Sequence, residues 1–306
     1  MKKVVSVSLG SSKRDHQVEI ELLGEMISIK RIGTDGDIDK AIAMIKELDG
    51  HVDAFGMGGI DLYIYAGNKR YTLKDAVKIA NAAKKTPIVD GSGLKNTLER
   101  KVIKYLHNTG LIDFKGSKVL MVSAVDRFGM AETVVALGSE ATFGDLIFGL
   151  GIPIPLKSLD TLEKVASIIV PVISRLPFKL LYPTGAKQDV RITKFERYYL
   201  AADIIAGDFH FIKKHLPQRL EGKIIITNTV TQDDLKILSA AGVKTLITTT
   251  PDLNGRSFGT NVMEGVLVSL ADKSVDKLTV TDYEALIDKL ALRPRILDLQ
   301  AMTTAN

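Results

Sequence analysis

The stretch KVLMVSAVDRFGMAE, residues 118–132, sets the pattern from which the fold is predicted. An apolar run ends in a turn near Ala124 and leads into helix-forming residues, which is the order of a strand, a turn and a helix. Downstream, the apolar runs EATFGDLIF, ADIIAGD, KIIITNT and KTLITTT alternate with helical segments such as QDDLKILSAAG. This alternation predicts a parallel, doubly wound sheet whose ligands bind beyond the carboxyl ends of its strands.

The residues before this stretch predict a smaller α/β sheet domain. The runs VVSVSL, VEIELL and MISIKRI indicate strands, DIDKAIAMIKELDG a helix, and LYIYAGNKRYTL a hairpin around Gly67 and Asn68. The tail TDYEALIDKLALRPRIL indicates a final amphipathic helix. We therefore predict an α/β protein with an N-terminal substrate domain over residues 1–110, a Rossmann-like nucleotide-binding domain over 111–270, and a helical tail over 271–306 that packs back.

Residues 152–185, IPIPLKSLDTLEKVASIIVPVISRLPFKLLYPTG, form a segment rich in proline and apolar side chains. One interpretation is a lid or the surface of a homodimer. The other is a helix that bends at Pro171 and is buried against the sheet, because proline inside an apolar helix removes a hydrogen bond.

Composition excludes several classes of function. The 306 residues contain no Cys, which excludes disulfides, a thiolate nucleophile and a cysteine-ligated metal, and five scattered His argue against a histidine metal site. The net charge of +5 is spread along the chain, which favours a small anionic substrate over nucleic acid. The most apolar run, VASIIVPVI, is far shorter than the roughly 20 residues that cross a bilayer, and the N-terminus lacks a signal-peptide core. We expect a cytoplasmic protein with no membrane partner.

The turn after residues 118–121 matches the glycine fingerprint of a dinucleotide site only in part. Placing Gly129 third in G-x-G-x-x-G puts Ala124 and Asp126 where glycines belong. Asp126 either lies beside a pyrophosphate, with Arg127 offsetting its charge, or caps the helix. Asp145 either holds a ribose hydroxyl or is an ordinary strand-end acid. The residues predicted to bind NAD or NADP are Asp126, Arg127, Phe128, Gly129, Met130, Asp145, Thr227, Asn228, Thr229, Thr248, Thr249 and Thr250.

Two glycine-rich segments resemble each other, DGSGLKNTLERKVIKYL from Asp90 and LNGRSFGTNVMEGVLVSL from Leu253. In each, an Asn precedes a Glu by three residues, the spacing of a helix capping box. With Lys95 or Arg256 nearby, each predicted helix N-terminus is suited to a carboxylate or phosphate. The alternative is that the glycines only shape turns and the cations are solvated. One such corner in each predicted domain favours a ligand held in a cleft between them.

Two further strand ends carry polar side chains. Ser11, Ser12, Lys13 and Arg14 follow the first strand and offer hydroxyls and cations to an acidic substrate, although an exposed turn has the same composition. GMGGID ends in Asp61, which we predict to be a general base beside Lys95.

Six segments carry a resemblance that covers most of the chain: SLGSSKRDHQVEIELLGE, RIGTDGDIDKAI, DAFGMGGIDLYIY, TPIVDGSGLKNTLER, VDRFGMAE and GRSFGTN. In them the sequence resembles a bacterial family of quinate 5-dehydrogenases. The resemblance implies oxidation of quinate or shikimate with NAD or NADP, the substrate in the N-terminal domain and the nucleotide in the other. The N-V-T-x-P-x-K segment with the catalytic lysine of the better-known shikimate and quinate dehydrogenases does not occur here.

These observations predict a dehydrogenase for a small hydroxy acid. Lys95 would polarise or protonate the reacting oxygen and Asp61 would assist proton transfer. The predicted substrate-binding residues are Ser11, Ser12, Lys13, Arg14, Asn96, Arg256 and Asn261. The alternative is a non-catalytic sensor that binds an anionic metabolite with the same corners, which Asp126 favours. A transferase is a third class, since such folds host many reactions.

Overall fold

The computed structural model of the chain describes residues 1–66, 69–176, 192, 194–253 and 256–304. It divides into two compact units, each built from three separate stretches of chain. The first comprises residues 1–98, 168–188 and 253–292, and the second comprises 99–167, 189–252 and 293–306. Both units contain a sheet with parallel strands and helices, which confirms the predicted α/β class.

The helices and strands of the described residues follow in chain order. They are β1 (Lys2–Ser8), β2 (His16–Leu22), β3 (Glu25–Gly33), α1 (Ile38–Leu48), β4 (Ala54–Gly58), β5 (Tyr63–Ala66), β6 (Lys69–Thr72), α2 (Lys74–Ala80), β7 (Ile88–Val89), α3 (Ser92–Asn108), β8 (Lys118–Met121), α4 (Phe128–Ala136), β9 (Glu140–Phe143), α5 (Leu159–Ile173), α6 (Glu196–Ala201), β10 (Ile204–Ala206), α7 (Phe209–Lys214), β11 (Ile224–Thr227), α8 (Gln232–Ala240), β12 (Thr245–Thr248), β13 (Asp252–Leu253), β14 (Arg256–Ser257), α9 (Thr260–Leu270), α10 (Val280–Lys289), β15 (Arg295–Asp298) and α11 (Leu299–Thr304). Most segments predicted from periodicity appear, although their ends shift.

The first unit contains a sheet with strand order β2-β3-β1-β4-β7. β2 and β3 form an antiparallel hairpin, whereas β3, β1, β4 and β7 run parallel. One apolar core joins α1 and α2 to this sheet through side chains such as Ile45, Phe55 and Ile79. β5 and β6 pair as the predicted hairpin, but its turn at Gly67 and Asn68 lies outside the described residues.

Helix α9 packs against β1 and β4 of the same sheet. Two glycines allow the close approach. A Cβ atom added to Gly56 would lie 2.7 Å from the carbonyl oxygen of Asn261, and one added to Gly265 would lie 3.0 Å from Val4 Cγ1. Because the contact at Gly56 is with the backbone of α9, a larger side chain there would force the helix and the strand apart.

The second unit contains a sheet with strand order β15-β12-β11-β10-β8-β9. All of its pairs are parallel except that of β12 with the edge strand β15. The chain runs from β8 outward to β9 on one side and from β10 to β11 on the other, so the order reverses between β8 and β10. This is the Rossmann-like, doubly wound arrangement that was predicted, and such a reversal is where ligands bind in open α/β sheets.

The predicted domain boundaries at residues 110 and 270 do not match the two units. Helix α9 was predicted to belong to the nucleotide-binding domain but is part of the first unit. Nearly all of its residues are buried, so periodicity does not indicate which sheet it covers. The predicted helical tail is also wrong in part, because α10 ends at Lys289 and RILD forms β15, the edge strand of the second sheet.

Residues 152–176 include α5, which contains Pro171 as predicted. Leu162, Ala166 and Val170 are buried along one side of α5, whereas Ile168 and Val172 are 72% and 62% exposed. Residues 177–185 of the predicted segment lie outside the described residues, and the dimer surface stays a prediction. Within the described part of the chain, no helix combines the length and the apolar character that crossing a membrane requires.

Candidate functional site

The carboxyl edge of the first sheet gathers several of the predicted residues. Because β1, β4 and β7 are parallel neighbours, the loops that follow them meet at one edge. Ser11 to Arg14 follow β1, Asp61 follows β4, and α3 with Lys95 follows β7. This edge is the candidate functional site of the first unit.

Lys95 and Asp61 are in direct contact at this edge. Lys95 Nζ donates a hydrogen bond to Asp61 Oδ1 at 2.6 Å. The two side chains are 11% and 18% exposed, so the pair is largely withdrawn from water but still accessible. The structure therefore brings together two residues whose pairing the sequence suggested without giving their distance. An ammonium group next to a carboxylate can both stabilise a developing alkoxide and exchange a proton with it.

Asp90 links the loop of Asp61 to the helix of Lys95. Its Oδ2 accepts hydrogen bonds from the amides of Leu62 and Tyr63 at 2.7 and 2.9 Å, and its Oδ1 accepts one from the amide of Ser92 at 3.0 Å. Asp90 is 5% exposed. One carboxylate oxygen therefore fixes the backbone that follows Asp61, and the other fixes the start of the helix that carries Lys95.

A buried acid lies close to the same turn. Tyr283 on α10 donates its hydroxyl to Glu264 Oε1 on α9 at 2.6 Å. Burial raises the pKa of Glu264 to about 8, the Asp90 carboxylate adds to the rise, and hydrogen bonds from Tyr283 and the Gly91 and Gly93 backbone oppose it. Burial and the Glu264 carboxylate likewise raise the pKa of Tyr283. Glu264 is therefore largely protonated at neutral pH.

This raised pKa predicts a pH dependence of stability. The pKa of Glu264 is about 8 in the folded chain against an ordinary value of 4.5, so the folded state binds the proton more tightly than the unfolded state. The free energy of unfolding should therefore decrease as pH rises from about 4.5 to about 8 and level off above that. Denaturant midpoints at about pH 5 and about pH 8 measure the slope, which Glu264→Gln should reduce because its side chain cannot ionise. If the slope of stability against pH is unchanged in this variant, Glu264 is not the group that titrates. A smaller slope should remain in the variant, because burial also raises the pKa of Asp145, to about 7.

Charged side chains hold the loop after β1 in place. Arg31 Nη1 contacts Asp15 Oδ1 at 2.8 Å and donates to the Ser11 carbonyl at 3.1 Å, while Asp35 accepts the amide of Ser12 at 2.8 Å. Ser12 to Arg14 form a 3-10 turn in which Ser12 and Lys13 are exposed. The loop is therefore a turn, which is the alternative interpretation of these residues. It also exposes Lys13 to the solvent.

Both predicted capping boxes are wrong. α3 begins at Ser92, so Asn96 lies inside the helix, and Glu99 is buried without a capping role. α9 begins at Thr260 after Gly259, and Asn261 donates instead to Ser6 Oγ at 2.8 Å. The glycines and asparagines of both corners belong to the first unit, contrary to the prediction of one corner per domain, and Glu99 is the first residue of the second unit. Arg256 begins β14, and its side chain is not among those that the structure describes.

The turn after β8 in the second unit is organised around a buried cation. Arg127 contacts Glu99 through Nη1 and Asp208 Oδ2 through Nη2 at 3.3 Å. The side chains of Arg127 and Glu99 are both 0% exposed. Burial opposes the charge, but Glu99, Asp126 and Asp208 together raise the pKa of Arg127. Phe128, Gly129 and Met130 begin α4 and are buried.

Asp145 occupies the amides of this turn. Its Oδ1 accepts hydrogen bonds from the amides of Ala124 and Val125, both at 2.9 Å. These are the amides that would approach a pyrophosphate in the standard dinucleotide pose. The Asp145 carboxylate therefore occupies the position that the prediction gave to a pyrophosphate. Asp145 itself had been predicted to bind the ribose.

The other predicted nucleotide contacts are strand-end residues of β11 and β12. Thr227 Oγ1 donates to the Gly207 carbonyl at 2.8 Å, Thr248 Oγ1 to the Thr250 carbonyl at 3.0 Å, and Thr250 Oγ1 to the Asn228 carbonyl at 2.9 Å. Asn228 Nδ2 donates to Asp208 Oδ2 at 2.8 Å. Thr229 is half-buried, and Thr249 is buried with no partner for Oγ1 among the described residues. Most of these groups therefore stabilise the edge itself.

Several important residues escaped the sequence analysis. Asp208 lies two residues after β10, so the strand-end rule that selected Asp61 could have found it. It is partly exposed; burial opposes ionisation, but His210 and Arg127 lower its pKa. Asp90 directly follows β7, so the same rule could have found it as well. The roles of Glu99 and Glu264 left no local signal, because each depends on a partner far along the chain.

Comparisons with known proteins give distant structural neighbours. A galactofuranose binding protein matches over 99% of this chain and 97% of its own, at 11% identity and a TM-score of 0.39. L-tryptophan dehydrogenase from Nostoc punctiforme matches over 94% and 80%, at 12% identity and a TM-score of 0.39. Glutamate dehydrogenase from Thermus thermophilus matches over 95% and 73%, at 11% identity and a TM-score of 0.44. These TM-scores are all below 0.5, so the likeness assigns no role to any residue.

Sequence comparison identifies the family. None of the curated proteins matches the chain. Residues 3–90 match the model of a domain of unknown function, DUF8753. Residues 93–299, more than half of the chain, match the model of another, DUF8754. The chain therefore belongs to the family described as domain of unknown function DUF8754.

Proposed function

We propose that the protein is an NAD(P)-dependent oxidoreductase that acts on a small hydroxy acid such as quinate or shikimate. The observation that carries the proposal is the contact of Lys95 with Asp61 at 2.6 Å, at the carboxyl edge of a parallel sheet. Two oppositely charged groups that are largely withdrawn from water suit proton transfer at a substrate oxygen. The family resemblance of the sequence agrees with this chemistry.

Asp61 and Lys95 of the first unit have different roles at the substrate hydroxyl. In the oxidation direction, the hydroxyl proton passes to the Asp61 carboxylate, and the Lys95 ammonium group stabilises the negative charge that develops on oxygen. In the reverse direction, the protonated Asp61 returns this proton to the carbonyl oxygen, and the Lys95 ammonium group again stabilises the negative charge on that oxygen. The exposed Lys13 in the loop after β1 supplies a cation for the substrate carboxylate.

The switch point between β8 and β10 in the second unit is the proposed nucleotide site. The carboxylates of Asp126 and Asp208 are each 21% exposed, and they fit the hydroxyls of a ribose. Asn228, next to Asp208, offers an amide oxygen and nitrogen at the same edge. When bound, NAD or NADP supplies the hydride acceptor for alcohol oxidation.

One observation favours a second candidate, a non-catalytic protein that binds an anionic metabolite. The amides of Ala124 and Val125 already bond to Asp145, and the Arg127 guanidinium is buried and paired. A diphosphate would have to displace Asp145 from these amides. A binding protein needs the cations of the first unit but not a diphosphate site in the second.

A ligand screen on the full chain separates the two functions. NAD, NADP, quinate and shikimate are added singly and in pairs while the melting temperature is measured, and nucleotide reduction is followed by absorbance. A ligand at a hundredfold excess over its Kd stabilises the folded state by about 2.7 kcal/mol. Stabilisation by a nucleotide together with reduction in the presence of an acid supports the oxidoreductase. Stabilisation by an acid but by neither nucleotide overturns it in favour of the binding protein.

A further inference from the structure

The Lys95–Asp61 contact depends on how two separate pieces of backbone are held. Asp61 lies in the loop after β4, whereas Lys95 lies in the first turn of α3, where its amide donates to the Gly91 carbonyl at 2.9 Å. A side chain on a loop and one on a helix meet at 2.6 Å only if both backbones are fixed with respect to each other. The group that fixes them is therefore as important as the pair itself.

Asp90 contacts both pieces with the two oxygens of one carboxylate. Oδ2 accepts the amides of Leu62 and Tyr63, the two residues that follow Asp61, at 2.7 and 2.9 Å. Oδ1 accepts the amide of Ser92, the first residue of α3, at 3.0 Å. Hydrogen bonds from amides to an ionised and buried carboxylate are stronger than those between neutral groups.

We propose that Asp90 is the positioning residue that sets the distance between Lys95 and Asp61. Asp90 acts through the backbone and does not contact the substrate. Its catalytic consequence rests on the proposed function, whereas its effect on the geometry of the pair does not. An asparagine at this position has one acceptor oxygen and an amide nitrogen that would face an N–H donor, so at least one of the two backbones is released.

The test is Asp90→Asn in the full chain, with the chemical reactivity of Lys95 as the primary measurement. An amine-acetylating reagent is applied for short times, and modification of each lysine is followed by peptide mass spectrometry. In the native chain the Lys95 amine is bonded to Asp61 and little exposed, so it should react slowly. In the variant we expect Lys95 to react several times faster while other lysines are unchanged.

Asp49 provides the matched control. Its carboxylate accepts the amides of Lys84, Lys85 and Thr86 at 2.8 to 3.0 Å in the same unit, and these bonds lower its pKa to about 2. Asp49→Asn therefore loses a comparable backbone clamp and should lower stability without changing the reactivity of Lys95. If Asp90→Asn fails to fold, Asp90→Ser, which keeps a small acceptor for one backbone, takes its place in the same measurement.

The outcomes separate the inference from the proposed function. Lys95 reactivity within about twofold of the native value in the variant, with a folded chain, overturns the positioning role. Faster Lys95 reactivity without any turnover by the native chain supports positioning and counts against the oxidoreductase. Where turnover is present, kcat should fall at least about tenfold while KM changes less, because a misplaced pair loses interactions made in the transition state.

Discussion

Replacing Lys95 with methionine is expected to lower kcat by a factor of about 10² to 10⁴, the range that one general acid or base contributes. Methionine keeps much of the length and apolar stem of lysine but removes the ammonium group that contacts Asp61 at 2.6 Å. The developing charge on the substrate oxygen would then lack its cation. Initial rates of nucleotide reduction with the acid found in the ligand screen measure the effect, and KM should change much less than kcat.

The control for this prediction is Lys213→Met in the second unit. Lys213 contacts Asp234 at 2.9 Å, so the control also loses one ion pair of similar length. Its rate should equal that of the native chain. Asp61→Asn should lower kcat by a similar factor, because Asp61 accepts the proton from the same oxygen whose charge Lys95 stabilises. A Lys95→Met rate within about threefold of the native rate would exclude a catalytic role for the pair.

Replacing Arg127 with methionine should produce the largest loss of stability among these variants. Glu99 is fully buried, and removing its cation leaves an uncompensated charge inside the second unit. Breaking one partner of a buried ion pair costs about 3–5 kcal/mol. The midpoint of denaturant unfolding, read from probes in the second unit, measures this loss; two units in one chain need not unfold together.

Two further variants distinguish a buried charge from ordinary loss of packing. Lys236→Met removes an exposed partner of Asp233 and should change stability by less than about 1 kcal/mol. The double variant with Glu99→Leu and Arg127→Met should recover a large part of the loss, because no uncompensated glutamate remains. A double variant that is no more stable than Arg127→Met alone would show that packing, and not charge, accounts for the effect.

The sequence predicted the elements of this fold better than their assembly. The sequence predicted strands β8 to β12 and helices α1 and α8, because the spacing of apolar residues and the capping residues are local properties. For example, Asp37 precedes α1 and accepts a hydrogen bond from the amide of Lys40. The sequence placed Lys95 and Asp61 after predicted strands, but it did not give the distance between them. Strand order, which makes β4 and β7 neighbours, was the part that the sequence did not show.

The errors have a common physical cause. Helix α9 is buried on nearly every side, so its pattern does not select a partner sheet, and it was placed in the wrong unit. The spacing of Asn261 and Glu264 resembles a capping box, but tertiary contacts with Ser6 and Tyr283 take both side chains. Asp145 matched the position of an acid that binds a ribose, and it instead bonds to amides 20 and 21 residues earlier.

The interleaved course of the chain has a consequence for its biosynthesis. Residues 1–98 leave the ribosome early, yet α9, which packs against β1 and β4, is translated much later. Until then the nascent first sheet presents an uncovered apolar face with small residues, the kind of surface that associates with other chains. We expect truncated chains that end before Thr260 to require a chaperone or to aggregate. A separately added peptide of residues 253–292 should restore their solubility.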